Sequence, residues 1–109
     1  MNKKKLMVSV SIILLAIFVV FFFWRIPYLL ITLLIVLAFI KAKLSPIRRE
    51  IFMFVLIGFI GAGAESVLMF GGPWSYATPE LINFPIWLPF LWGLAGVTGI
   101  TLYQGISEN

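Results

Sequence analysis

One carboxyl, Glu65, stands alone in an apolar run. Ile51 to Phe70 carries no other charge, and Glu65 sits about five residues, roughly 8 Å, from the far end of that run. A carboxyl in hydrocarbon pairs, takes up a proton or reaches water, and an ionisable group inside a membrane span is by default a functional-site hypothesis. Trp74, Tyr76, Trp87 and Trp92 follow it in the chain. Aromatic faces stabilise a developing cation in a dry pocket, so an acid beside them is a candidate catalytic group and the four aromatics are candidate ligand-binding residues. Two plainer roles compete. Glu65 also fits a structural carboxyl hydrogen-bonded to Thr98, Tyr76 or a backbone group, and the aromatics also fit the belt that anchors proteins at the membrane surface. Pro85 and Pro89 stiffen the segment before the last apolar run, as helix-start residues or as shapers of a pocket.

The remaining catalytic repertoire is narrow. The sequence has no cysteine and no histidine, which removes thiol nucleophiles, imidazole bases, disulfides and the usual zinc and haem ligand sets. No metal and no cofactor is therefore expected.

Small residues lie beside the acid. Gly58, Gly61 and Glu65 share one helical face, with Ala62 and Ser66 alongside, and Gly93, Gly96 and Gly99 form a second stripe near Trp92 and Thr98. Such stripes let helix backbones approach closely. They predict tight packing of the third helix on the fourth, with Glu65 turned toward the interior.

The elements that position these groups follow from composition. Hydrophobic residues make up 62% of the chain and charged residues 11%, against roughly 25% charged in a soluble domain. Lipid must cover what protein cannot, so the chain is read as a single all-α transmembrane domain over 1–109. Four membrane-spanning helices are predicted, at about 6–24, 27–43, 46–70 and 86–104. The first follows Lys3, Lys4 and Lys5 and lacks a small-residue cleavage pattern, so it is expected to be a retained helix. Arg25 to Pro27 forms a tight turn. The second run is short, and Lys41 and Lys43 are expected to extend it by snorkelling to the headgroups. Ser45 and Pro46 give a cap and first-turn signal for the third helix. Gly71, Gly72 and Pro73 end it, and Thr78 to Glu80 predicts one interfacial helical turn.

Charge then sets orientation. Lys3, Lys4, Lys5, Lys41, Lys43, Arg48 and Arg49 fall on one side of this arrangement and Arg25 alone on the other. The bias puts both termini in the cytoplasm of a multi-pass plasma-membrane protein. The net charge of +4 thus reads as topology, with no nucleic-acid partner expected.

The stretch Gly61 to Gly96, GAGAESVLMFGGPWSYATPELINFPIWLPFLWGLAG, resembles small four-helix membrane proteins of bacteria and archaea. More distantly it is similar to the carotenoid-biosynthesis membrane proteins that include the carotenoid hydratases. The matching positions are Glu65, Gly72, Trp74, Tyr76, Pro85, Pro89 and Trp92. The resemblance implies a polyene or prenyl lipid as ligand. It implies no particular reaction, but a chemistry coherent with that ligand has a neutral Glu65 protonating an alkene, the aromatic cluster stabilising the tertiary cation and outer-side water capturing it. The hydratases are longer and richer in acids, so such an enzyme would here assemble from several copies.

The expected function is binding of an apolar lipid or isoprenoid at an outer-side site between the third and fourth helices, with acid chemistry at Glu65 as an extension. Two alternatives belong to other classes. One is a structural or assembly subunit, homo-oligomeric through its glycine stripes, and the other is a small oligomeric transporter with Glu65 as coupling acid.

Overall fold

The computed structural model describes residues 1–108 and is all-helical, with α1 Lys3–Phe23, α2 Pro27–Leu44, α3 Glu50–Met69 and α4 Leu88–Ser107. Its longest dimension is 43 Å, which matches a bilayer of roughly 40–45 Å including headgroups. Phe18, Phe22, Phe39 and Phe59 point outward, while Ile12, Leu30, Leu34, Leu88 and Leu94 fill the centre. That inversion suits a lipid surround.

Asn2 caps α1 by accepting the Lys5 N–H at 3.1 Å, which starts the helix before the apolar run begins. The two ends of the chain meet there. Asn2 N–H donates to the Gly105 carbonyl at 2.8 Å, and the Lys5 ammonium binds the Glu108 carboxylate at 2.6 Å and the Gln104 side chain at 3.2 Å. The Lys5 hydrogen bond holds the Glu108 carboxyl below its ordinary range.

Between α1 and α2 the chain turns at Trp24 to Ile26, with the Arg25 guanidinium 4.7 Å from the Trp24 ring centre and Pro27 opening α2. At 18 residues, α2 is about 27 Å long, within the range of a spanning helix and slightly short of a hydrocarbon core of about 30 Å. Lys41 does not snorkel. It is completely buried, and its ammonium donates to both Glu50 carboxylate oxygens at 3.1 and 2.9 Å.

That pair also moves the start of α3. Ser45 closes α2, its N–H bonding to the Lys41 carbonyl at 2.8 Å, and does not cap the next helix. Glu50, drawn to Lys41, accepts the Ile47 N–H at 2.8 Å, and α3 begins only after Arg49 has turned at φ 58°. A tertiary ion pair thus outweighs the local Ser-Pro signal. The far end of α3 follows expectation, with Gly72 at φ 89° just beyond it. The expected helical turn at Thr78 to Glu80 is absent. The segment instead forms an antiparallel bridge between Leu81 and Phe84, bonded in both directions at 2.9 and 2.7 Å.

Three helices, α1 to α3, are long and apolar enough to cross a membrane. The fourth is not, although it has 20 residues. Pro89, Trp92, four glycines, Thr98, Thr101 and Gln104 dilute its hydrophobicity. Its place explains this composition: α4 packs against α1, α2 and α3 alike, so protein rather than lipid covers much of it.

The α3–α4 seam is set by glycine. A Cβ on Gly58 would lie 2.6 Å from the Pro89 carbonyl oxygen, and one on Gly93 would lie 2.6 Å from that of Phe54. At Gly61 it would overlap the Trp92 indole, and at Gly96 the Ile57 side chain. Gly99 departs from the expected stripe, since no atom lies within 4 Å of its Cβ position. A spacing of three residues slips around the helix by about 60° per step, so the third glycine has left the seam. We therefore expect Gly58→Ala and Gly93→Ala each to cost about 1–3 kcal/mol through overpacking. Gly99→Ala should be neutral or stabilising by up to about 1 kcal/mol. Thermal unfolding in micelles measures all three.

Candidate functional site

Glu65 projects from near the C-terminal end of α3, where the glycines before it in the helix have brought α4 close. Its carboxylate receives three side-chain donors. The Tyr76 hydroxyl and the Trp74 indole N–H, the latter at 3.2 Å, share Oε1, and the Trp92 indole N–H reaches Oε2 at 2.6 Å. Trp74 and Tyr76 belong to the loop and Trp92 to α4, so one carboxylate fastens the loop to two helices. Neither of the two ion pairs among the described residues involves Glu65. Its charge is met by neutral donors alone.

A second fastening sits one residue on. Ser66 donates its hydroxyl to Asn83 Oδ1 at 2.7 Å, and Asn83 returns its amide N–H to the Ser66 carbonyl at 2.9 Å. Sequence reasoning missed Asn83, because no periodicity links a loop amide to a helical serine 17 positions away.

The expected site residues divide into two groups. Trp74, Tyr76 and Trp92 gather on Glu65, with both tryptophans partly exposed. Trp87 does not join them: it is buried beneath the loop, edge-on to Tyr76 at 5.9 Å, and its indole N–H has no partner among the described residues. Thr98 does not reach Glu65 either. Its hydroxyl is buried and unpartnered, unlike that of Thr101, which donates to the Val97 carbonyl at 3.2 Å.

Room for a ligand lies across α4 from the acid. The α3–α4 seam is shut by the glycine contacts, whereas a groove of about 400 Å³ runs between α1 and α4, lined by Ile12, Ala16, Val20, Leu94, Ala95 and Thr98 among others. Val20 also borders a hollow of about 250 Å³ under the loop, with Trp24, Tyr76, Thr78 and Trp87. The expected site between the third and fourth helices is therefore split, the seam holding the fastening and the α1 flank holding the space. Tyr76 and Trp87 connect the two.

No family model, curated protein or solved structure matches this chain. Function must be argued from the site itself. Among the described residues no group of carboxylates could hold a metal ion.

The donor set favours holding over proton transfer. Each of the three partners brings a hydrogen to the carboxylate, and together they occupy three of its roughly four acceptor positions. Tyr76 is fixed in the complementary role: burial, and then the hydrogen bond to Glu65, push its hydroxyl above the ordinary value of 10.0. The sign follows from linkage. Because the folded value is raised, the stabilisation is complete below the ordinary tyrosine range and is lost as pH climbs through the folded value. Tyrosinate absorbance should accordingly show one of the three tyrosines titrating later in the parent than in Glu65→Gln. Coincident titrations would detach Tyr76 from the acid.

Proposed function

We propose that the chain crosses the plasma membrane four times with both termini cytoplasmic, and that it binds an apolar lipid or isoprenoid on the outer side. In this reading α4 is the fourth span, tolerating glycine and threonine because its neighbours shield it. The ligand's apolar part occupies the α1–α4 groove, and its head lies beneath the loop that Glu65 fastens.

The observation that carries this reading is the apolar groove itself, meeting the hollow under the loop at Val20, with Thr98 and Trp87 on their walls, two residues whose buried polar atoms have no hydrogen-bond partner among the described residues. An orphaned buried polar group costs about 1–3 kcal/mol. A mostly hydrocarbon molecule fills the groove, and a small turn of either side chain toward it would let one of its oxygen functions offset that cost. The resemblance to carotenoid-biosynthesis membrane proteins supports an isoprenoid within that class. Glu65 then acts as a positioning residue for the lid, and acid catalysis is not required.

A second reading is supported by the outward face of α4. Gly99 stands open beside exposed Tyr103 and Ile106, which suits association with another copy in a structural assembly.

Mass spectrometry of lipids retained by the purified protein separates the two. Ala95 lines the groove and is exposed, so Ala95→Phe fills the space without disturbing the core. The parent should retain one apolar species that Ala95→Phe loses by about tenfold or more, equivalent to at least 1.4 kcal/mol. The same bulk phospholipid on both proteins would count against the ligand.

A further inference from the structure

α2 and α3 follow one another in the chain yet scarcely touch, because α3 packs on α4. A cleft of about 410 Å³ remains between them, walled by Ile35 and Phe39 of α2 and by Ile51 and Phe54 of α3, with Phe90 of α4 also lining it. The α2 residues that line it recur at helical spacing from Ile35 to Ala42, a length of about 10 Å. Phe39 and Ile51 on its walls are exposed.

The cleft is almost wholly apolar. Glu50 borders it, but its carboxylate is already taken by Lys41 and the Ile47 N–H, so it presents no free anion. Lys43 follows the lining residue Ala42, and Arg48 and Arg49 directly precede Glu50; all three are exposed. Among the described residues none of them has a carboxylate partner. Three unpaired cations beside an apolar slot match an amphiphile with a negative head and a hydrocarbon tail. A second copy of the chain matches poorly, since a two-fold pairing across this cleft would bring an identical basic rim against the first.

We infer that the α2–α3 cleft binds an anionic phospholipid of the cytoplasmic leaflet, with an acyl chain between Phe39 and Phe54 and the phosphate on Lys43, Arg48 and Arg49. The assignment of leaflet rests on the orientation proposed above. The site itself is separate from the outer groove.

Native mass spectrometry of the full chain tests this, using micelles spiked with equal amounts of phosphatidylglycerol and phosphatidylcholine. The parent should retain phosphatidylglycerol in preference. Each of Arg48→Gln, Arg49→Gly and Lys43→Gln should reduce that preference roughly fivefold. Arg49→Gly is the cleanest variant, because glycine suits the positive φ of 58° that arginine adopts there. Ala38→Trp, which fills the cleft, should abolish retention of both lipids there. Equal uptake by the parent, or an undiminished preference in the single variants, would overturn the inference. So would efficient disulfide cross-linking of Phe39→Cys between two copies. Ala95→Phe should leave the phosphatidylglycerol preference intact, so a failure of the outer site and a failure of this one give different results.

Discussion

Replacing Glu65 by leucine should free the outer loop while leaving the helices paired. The carboxylate accepts three hydrogen bonds from Trp74, Tyr76 and Trp92, and a bond to a charged group contributes about 1.5–3 kcal/mol net. Two of the three share one oxygen and the tryptophans are partly exposed, so the sum is discounted. A loss of about 2–4 kcal/mol is expected, equivalent to a roughly 30- to 1,000-fold larger open population of the loop. Proteolysis between Gly71 and Pro85 in sealed vesicles should speed up correspondingly. Glu65→Gln should lie between, since an amide keeps one acceptor but sets its own N–H against a donor. Helicity and the α3–α4 seam should persist, because the glycine contacts there do not involve the carboxyl.

Lys41→Met should have an effect at least as large at the other end of the molecule. It leaves the Glu50 carboxylate, whose side chain is only 14% exposed, with the Ile47 N–H as its one remaining partner. Breaking one side of a buried ion pair costs about 3–5 kcal/mol. The double variant Lys41→Met with Glu50→Leu should recover most of that loss, because replacing a buried pair by apolar residues is often neutral or stabilising. Thermal unfolding of the parent, the single variant and the double variant makes the comparison. Equal instability in both variants would show that the connector needs charge for its geometry and not only for pairing.

These two carboxylates show what was legible in the residues and what was not. Glu65 announced itself because it is the only charge in its run, and Tyr76 was foreseeable as a partner because loop and helix end lie close in sequence. Trp87 looked like a member of the same cluster, yet its indole sits under the loop, a difference of side-chain direction that spacing does not encode. Lys41 was misread for a related reason. A lysine near the end of an apolar run has the same pattern whether it rises to the headgroups or turns inward, and only its pairing with Glu50 decides. The same pairing displaced the start of α3 from Pro46 to Glu50, so a local cap signal lost to a tertiary contact.

Glycine shows the same division. Gly58, Gly61, Gly93 and Gly96 lie in the seam, where close packing demands small residues at helical spacing. Gly99 fell away because a three-residue repeat rotates out of register. The four helices were visible in the apolar runs and their breakers. The central position of α4, and hence its weaker hydrophobicity, depends on which helices surround it, which no single run records.

The account turns on a lid held by Glu65 above apolar space that a lipid fills. A photoreactive benzophenone side chain in place of Phe21, an exposed aromatic at the rim of the α1–α4 groove, reads both halves at once by intact-mass analysis. It should capture one apolar lipid species, and capture should fall about tenfold when Glu65→Leu is added, because the lid no longer closes the head of the groove. Capture of mixed phospholipids or of a second copy of the chain, at a yield unchanged by Glu65→Leu, would contradict the account.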